Sequence, residues 1–76
     1  MNDEIELLDV VALTTDVPSR GLRRGQVGTV VELLEPGVFE VEFSDDDGRT
    51  YATAPLRGSQ LIVLHYEPAT AGSARS

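Results

Sequence analysis

The segment from Leu22 to Glu32 constrains the fold more than any other part of this sequence. A basic turn ends at Gly25, a second glycine follows at Gly28, and a β-branched run occupies residues 29–31. A glycine inside a strand pattern marks a bulge or a position where another backbone approaches closely. The segment therefore predicts a loop that leads into a sharply twisted β-strand.

The length and composition limit how such a strand can be stabilised. The chain has 76 residues, no cysteine and one histidine. A domain of this size buries only about 60% of the surface of its unfolded chain. Disulfides and thiolate metal sites are excluded, and a zinc site is strongly disfavoured, so we expect no metal and no cofactor. Packing or self-association must supply the stability.

Short β-rich segments recur along the chain, separated by turn formers. The pattern predicts a long first connection, turns at Pro36-Gly37 and Asp47-Gly48, and a tight helical turn after Pro55, which ends the fourth strand. The last segment is apolar almost throughout, which predicts burial on both faces or pairing with a partner. The predicted strands are Val10–Thr14, Val27–Leu34, Val38–Phe43, Arg49–Ala54 and Leu61–Tyr66.

These elements predict an all-β fold, a small five-stranded antiparallel SH3-like barrel over residues 1–66. The third strand should turn Phe39, Val41 and Phe43 towards the core and Glu40 and Glu42 towards water. Leucines of the N-terminal segment are expected to cover one end of the core. Residues 67–76 lack anchoring side chains and are expected to be a disordered tail. An open meander that dimerises or swaps a strand is the alternative.

The same residues carry a resemblance to a known family. Residues 8–14, Asp16-Val17-Pro18, Gly21-Leu22, the stretch 25–31 and Phe39 to Phe43 resemble the DUF4926 family of small bacterial proteins, over roughly residues 4–64. The family has no established activity. The resemblance implies a stand-alone bacterial domain, encoded in some genomes beside small partner proteins in the manner of toxin–antitoxin or immunity pairs. A weaker resemblance, through Gly25, Val27, Gly28 and Val30, is to KOW elements of ribosomal and transcription proteins.

The charge balance opposes general attraction to nucleic acid. Thirteen acidic and six basic residues give a formal net charge of −7, and every basic residue is arginine. Phosphate repels such a surface, so nucleic acid is disfavoured as a ligand. The start shows no signal peptide and no apolar run is long enough to span a membrane, which predicts a soluble cytoplasmic protein.

Two charge clusters are the candidate binding residues, and no catalytic residue is predicted. His65 has no nucleophilic partner, so an enzyme is disfavoured. An arginine loop and an acidic hairpin could orient a partner protein, and the acidic barrel could compete for a basic cleft as antitoxin-like, immunity-like or antirepressor-like proteins do. The candidate partner-binding residues are Arg20, Arg23, Arg24, Glu40, Glu42, Asp45, Asp46 and Asp47.

Each cluster also has a simpler interpretation. The three arginines, with Tyr51 as a stacking platform, could instead form a KOW-like nucleic-acid site. Both clusters could equally be solvated surface that keeps a small domain soluble. The aspartate run lacks the spacing and flanking helices of a calcium loop, and position 56 is leucine.

Overall fold

The structure is a computed structural model that describes residues 5–65. It contains five strands, β1 (Val10–Leu13), β2 (Val27–Glu35), β3 (Val38–Ser44), β4 (Thr50–Arg57) and β5 (Leu61–Val63), and two short 3-10 turns, Pro18–Arg20 and Gly58–Gln60. The strands form one antiparallel sheet of order β4-β3-β2-β1-β5.

The predicted all-β, five-stranded antiparallel architecture is confirmed. Strands β4 and β5 are the two edges of the sheet, so the sheet is not closed among the described residues, and the predicted closure into an SH3-like barrel is not confirmed. The prediction of a disordered tail over 67–76 lies outside the described residues, as does Tyr66 at the predicted end of the last strand.

The core lies on one face of the sheet, and the long loop between β1 and β2 contributes to it. Leu22 of this loop is 2% exposed and anchors the loop in the core, and Val17 packs beside the core. Every buried side chain among residues 5–65 is apolar, and each of them except the small Ala54 contributes about 1.5–3 kcal/mol on burial. The buried residues are Val11, Leu13, Leu22, Val30, Val41, Phe43, Ala54, Leu56 and Leu61.

Strand β3 shows the alternation that its sequence predicts. Val41 and Phe43 are fully buried, and Phe39 is partly buried against the same core. Glu40 and Glu42 lie on the opposite face and are half-buried. The strand therefore divides the sheet into a core face and an outer face.

Gly28 lies where β2 and β3 approach most closely. A Cβ atom at this position would be 2.7 Å from Val41 Cγ1, 2.8 Å from the Glu42 carbonyl oxygen and 3.0 Å from Phe43 Cδ2. The predicted role of this glycine in close approach is confirmed. The bulges of β2 lie further along the strand, between Val30 and Glu32 and between Leu33 and Glu35.

Two local predictions were wrong. Strand β4 continues through Pro55 to Arg57, because an edge strand tolerates a residue without a backbone N–H. The N-terminal leucines do not cover the core: Leu7 is 52% and Leu8 69% exposed, whereas Ile5 packs against the core. Leu8 occupies the left-handed region, with φ of 72°, as the chain turns into β1.

Candidate functional site

Three neighbouring carboxylates on the outer face of β2 and β3 form what we call the acidic face: Glu32, Glu40 and Glu42. Glu40 and Glu42 are two residues apart on β3, so their side chains point to the same side and their Cα atoms are about 6.8 Å apart. Glu32 on β2 is the register partner of Glu40, and Thr29 is the partner of Glu42. Directly opposed residues share a face of the sheet, so the three carboxylates form one patch.

The pairing of Glu32 with Glu40 opposes folding. Side chains in direct register have Cβ atoms about 4.5–5.5 Å apart, and like charges at that separation destabilise the sheet. Glu32 is exposed and Glu40 is half-buried, so water screens the repulsion only in part. The arrangement has no structural benefit that the described residues reveal.

The aspartate turn next to this face divides into a structural part and an exposed part. The Asp45 carboxylate accepts the backbone N–H groups of Asp47 and Arg49, both at 2.9 Å. Gly48, with φ of 82°, closes the turn by donating its N–H to the Asp45 carbonyl at 3.0 Å. Asp45 therefore organises the hairpin, and the exposed side chains of Asp46 and Asp47 extend the negative charge beyond it.

The arginine loop is held mainly through its backbone. The Arg24 N–H donates to the Asp16 carboxylate at 2.8 Å, and the Arg23 N–H donates to Gln26 Oε1. Both arginine side chains are exposed. Both hydrogen bonds use the backbone, so within residues 5–65 the guanidinium groups of Arg23 and Arg24 are not needed for them.

The loop also contacts β4, the strand next to the acidic face. Gln26 Nε2 donates to the Tyr51 hydroxyl at 2.9 Å, and the Arg20 guanidinium lies 3.5 Å from the Thr53 carbonyl oxygen. Thr53 is the register partner of Glu42, so Arg20 reaches the strand adjacent to the acidic face. The two clusters of opposite charge are therefore neighbours.

About half of the Tyr51 side chain is accessible for stacking against a base. Its side chain is 49% exposed, and its ring packs against the Phe43 ring with the ring centroids 6.4 Å apart.

A shallow, half-open pocket of about 310 Å³ lies at the base of the arginine loop, lined by Asp16, Pro18, Gly21, Leu22 and Arg23. Within residues 5–65, no group of three or more His, Cys, Asp or Glu side chains is placed to hold a metal ion.

Sequence reasoning missed an apolar patch on the outer face: Val10, Ala12, Val27 and Ile62. Ala12 is the register partner of both Val27 and Ile62, so these three residues form a row across β2, β1 and β5. Val27 is 43% exposed, and Ile62 at 55% contradicts the first of the two alternatives predicted for the last strand, burial on both faces; the other, pairing with a partner, stays a prediction. The signal was the alternation in β5, where Leu61 and Val63 face the core and Ile62 does not.

The fold and the site define a class, a small all-β domain built on one antiparallel sheet with an acidic outer face. A family model described as a domain of unknown function, DUF4926, matches residues 7–63, and the chain belongs to this family. No curated protein and no solved structure matches the chain. The part of the chain that the structure describes contains no helix long and apolar enough to cross a membrane.

Proposed function

We propose that this protein is a non-enzymatic interaction module whose acidic face binds a basic surface of a partner protein. The observation that carries the proposal is the direct pairing of Glu32 with Glu40 on the outer face of the sheet. A pair that opposes folding is explained if its charge serves recognition, because clustered charge steers and orients an oppositely charged partner. Asp46 and Asp47 extend the same negative surface.

The partner is a basic protein encoded near this one in a bacterial genome, and the pair acts in the cytoplasm as an antitoxin-like, immunity-like or antirepressor-like complex. The formal net charge of −7 supports this direction of recognition. A carboxylate row on a rigid strand presents fixed negative charges, which a basic cleft that binds phosphate would also accept.

Quantitative capture experiments test the proposal. Tagged wild-type protein is compared with the double variant Glu40→Lys, Glu42→Lys and with the control Arg23→Ala, Arg24→Ala. Captured proteins are eluted with salt and quantified by mass spectrometry. We expect the wild type and the arginine variant to retain the same basic protein and the lysine variant to lose it. Equal capture by all three proteins contradicts the proposal.

A second candidate function is KOW-like nucleic-acid binding through the arginine loop. It is favoured by the exposed side chains of Arg20, Arg23 and Arg24 and by the half-exposed ring of Tyr51 on the strand that the loop contacts. Fluorescence anisotropy with random single-stranded RNA and with duplex DNA at low salt tests it. Affinity that falls in the Arg23→Ala, Arg24→Ala variant supports this function, and binding no tighter than about millimolar, weaker than ordinary non-specific binding, excludes it.

A further inference from the structure

The outer face of the sheet has an apolar half beside its acidic half. The apolar patch defined above occupies β1, β5 and the start of β2, and the acidic face occupies β3 and the middle of β2. Val10, Thr29 and Glu42 lie in one register row across three adjacent strands. Adjacent strands are about 4.8 Å apart, so the backbones at Val10 and Glu42 are separated by roughly 10 Å.

That width matches one α-helix, whose diameter with side chains is about 10–12 Å. A helix lying over Thr29 can place one side on the apolar patch and reach Glu42 with the other. Sheet faces that are apolar are commonly covered by a helix in this way. Val27 is 43% and Ile62 55% exposed, so no element within residues 5–65 buries these two side chains.

We infer that the outer face binds an amphipathic helix of a partner protein, with an apolar stripe on the patch and lysine or arginine residues along the flank that meets the acidic face. The inference rests on the proposed function and names the form of the basic partner. Charge complementarity selects this occupant, because the patch is bordered by carboxylates. A second copy of this chain has a formal charge of −7 and no lysine, so it meets repulsion instead.

Two synthetic peptides serve as probes. One is a short peptide of leucine and lysine with one apolar and one basic helical face. The other has the same composition in an order that spreads both residue types around the helix. Fluorescence anisotropy gives the affinity of each peptide for the full-length wild type and for Ile62→Asn. The matched control is Leu33→Asn, since Leu33 is 53% exposed, similar to Ile62, but lies opposite Phe39 on the other face of β2.

We expect the wild type and the Leu33→Asn variant to bind the amphipathic peptide about tenfold more tightly than the rearranged one, and Ile62→Asn to lose that preference. Thermal unfolding confirms that all three proteins are folded. NMR amide shifts on titration should include both Ala12 and Glu42.

Other results overturn the inference and separate it from the proposed function. Equal affinity for the two peptides, lost in the Glu40→Lys, Glu42→Lys variant, refutes the helix and leaves the acidic face as a binding site. Binding of neither peptide contradicts both. A wild-type dimer that Ile62→Asn converts to monomer in sedimentation assigns the patch to a second copy. Amide shifts in residues 66–76 caused by Ile62→Asn alone assign it to the chain's own C-terminal segment.

Discussion

At the scale of single residues, the fold depends on a few positions where a side chain is either required or excluded. No side chain fits at position 28, because the backbone of β3 and the side chains of Val41 and Phe43 occupy the space next to Gly28. Leu22 is required, because it is the buried anchor of the long loop. The exposed side chains of Arg23 and Arg24, next to Leu22, are neither required in the core nor excluded from their positions by close packing.

Gly28→Ala should destabilise the protein by about 1–3 kcal/mol, since its Cβ would overlap atoms that cannot move independently of the sheet. Urea unfolding measures the change. Gly25→Ala is the matched control: Gly25 has a φ of 92° but open space around a Cβ, so its cost is one of backbone conformation alone. A Gly28→Ala variant as stable as the wild type contradicts the close packing of β2 on β3.

Leu22→Ala should lower the free energy of unfolding by about 2–5 kcal/mol, because it leaves a cavity at the buried anchor of the loop. By contrast, the variant Arg23→Ala, Arg24→Ala should stay within about 0.5 kcal/mol of the wild type, because both residues bond through their backbone N–H groups. Circular dichroism melts compare the two. If the arginine pair proves necessary for folding, the separation of anchor from free charge in this loop is wrong.

Asp45→Ala should lower stability by about 1 kcal/mol, since two backbone N–H groups of the turn lose their acceptor. Asp46→Ala is the control, a neighbouring aspartate whose exposed side chain takes no part in these bonds. Guanidinium unfolding of both variants tests the difference. Equal stability of the two variants would show that Asp45 does not organise the hairpin.

At the scale of elements, the turns were predictable, whereas the register of the strands and their positions in the sheet were not. Pro36-Gly37 and the Asp-Gly turn act through local backbone conformation, with φ of 82° at both Gly37 and Gly48. The extension of β4 through Pro55 depends on its position at the edge of the sheet, which is not a local property. Sequence reasoning therefore ended that strand too early.

The bulge between Val30 and Glu32 had the largest consequence for the site. With unbroken alternation from Gly28 and Val30, residue 32 would face the core. The bulge moves Glu32 to the outer face, opposite Glu40, and turns Leu33 towards Phe39. A register shift of one residue was not visible in the sequence, so Glu40 and Glu42 were predicted as site residues and Glu32 was not.

Glu32→Gln should stabilise the sheet by a few tenths of a kcal/mol, up to about 1, by removing the repulsion with Glu40. The gain should shrink as salt screens the charges. Urea unfolding at low and high salt measures it, with Glu35→Gln as the control, because Glu35 is opposed by Val38 instead of a carboxylate. An equal gain from both substitutions would attribute the effect to net charge alone.

At the scale of the whole molecule, one sheet and one loop form a core on a single side, and within residues 5–65 the other side keeps exposed apolar and charged side chains. The loop reaches β4 through Gln26 and Arg20, and this contact brings positive charge next to the acidic face. The outer face therefore carries an acidic patch with apolar residues on one side, and Arg20 contacts the backbone of the edge strand β4 on the other. The composition predicted the sign of the charge, but only the folded sheet shows where it is concentrated.

The most direct test of the acidic face as a binding site is to measure stability and binding on the same double variant, Glu32→Gln with Glu40→Gln. Unfolding in urea gives its stability, and anisotropy with the amphipathic leucine–lysine peptide gives its affinity. If the acidic face is a binding site, stability and affinity should change in opposite directions: the variant is more stable than the wild type and binds the peptide more weakly. A variant that is no more stable than the wild type and binds the peptide as tightly contradicts the acidic face as a binding site.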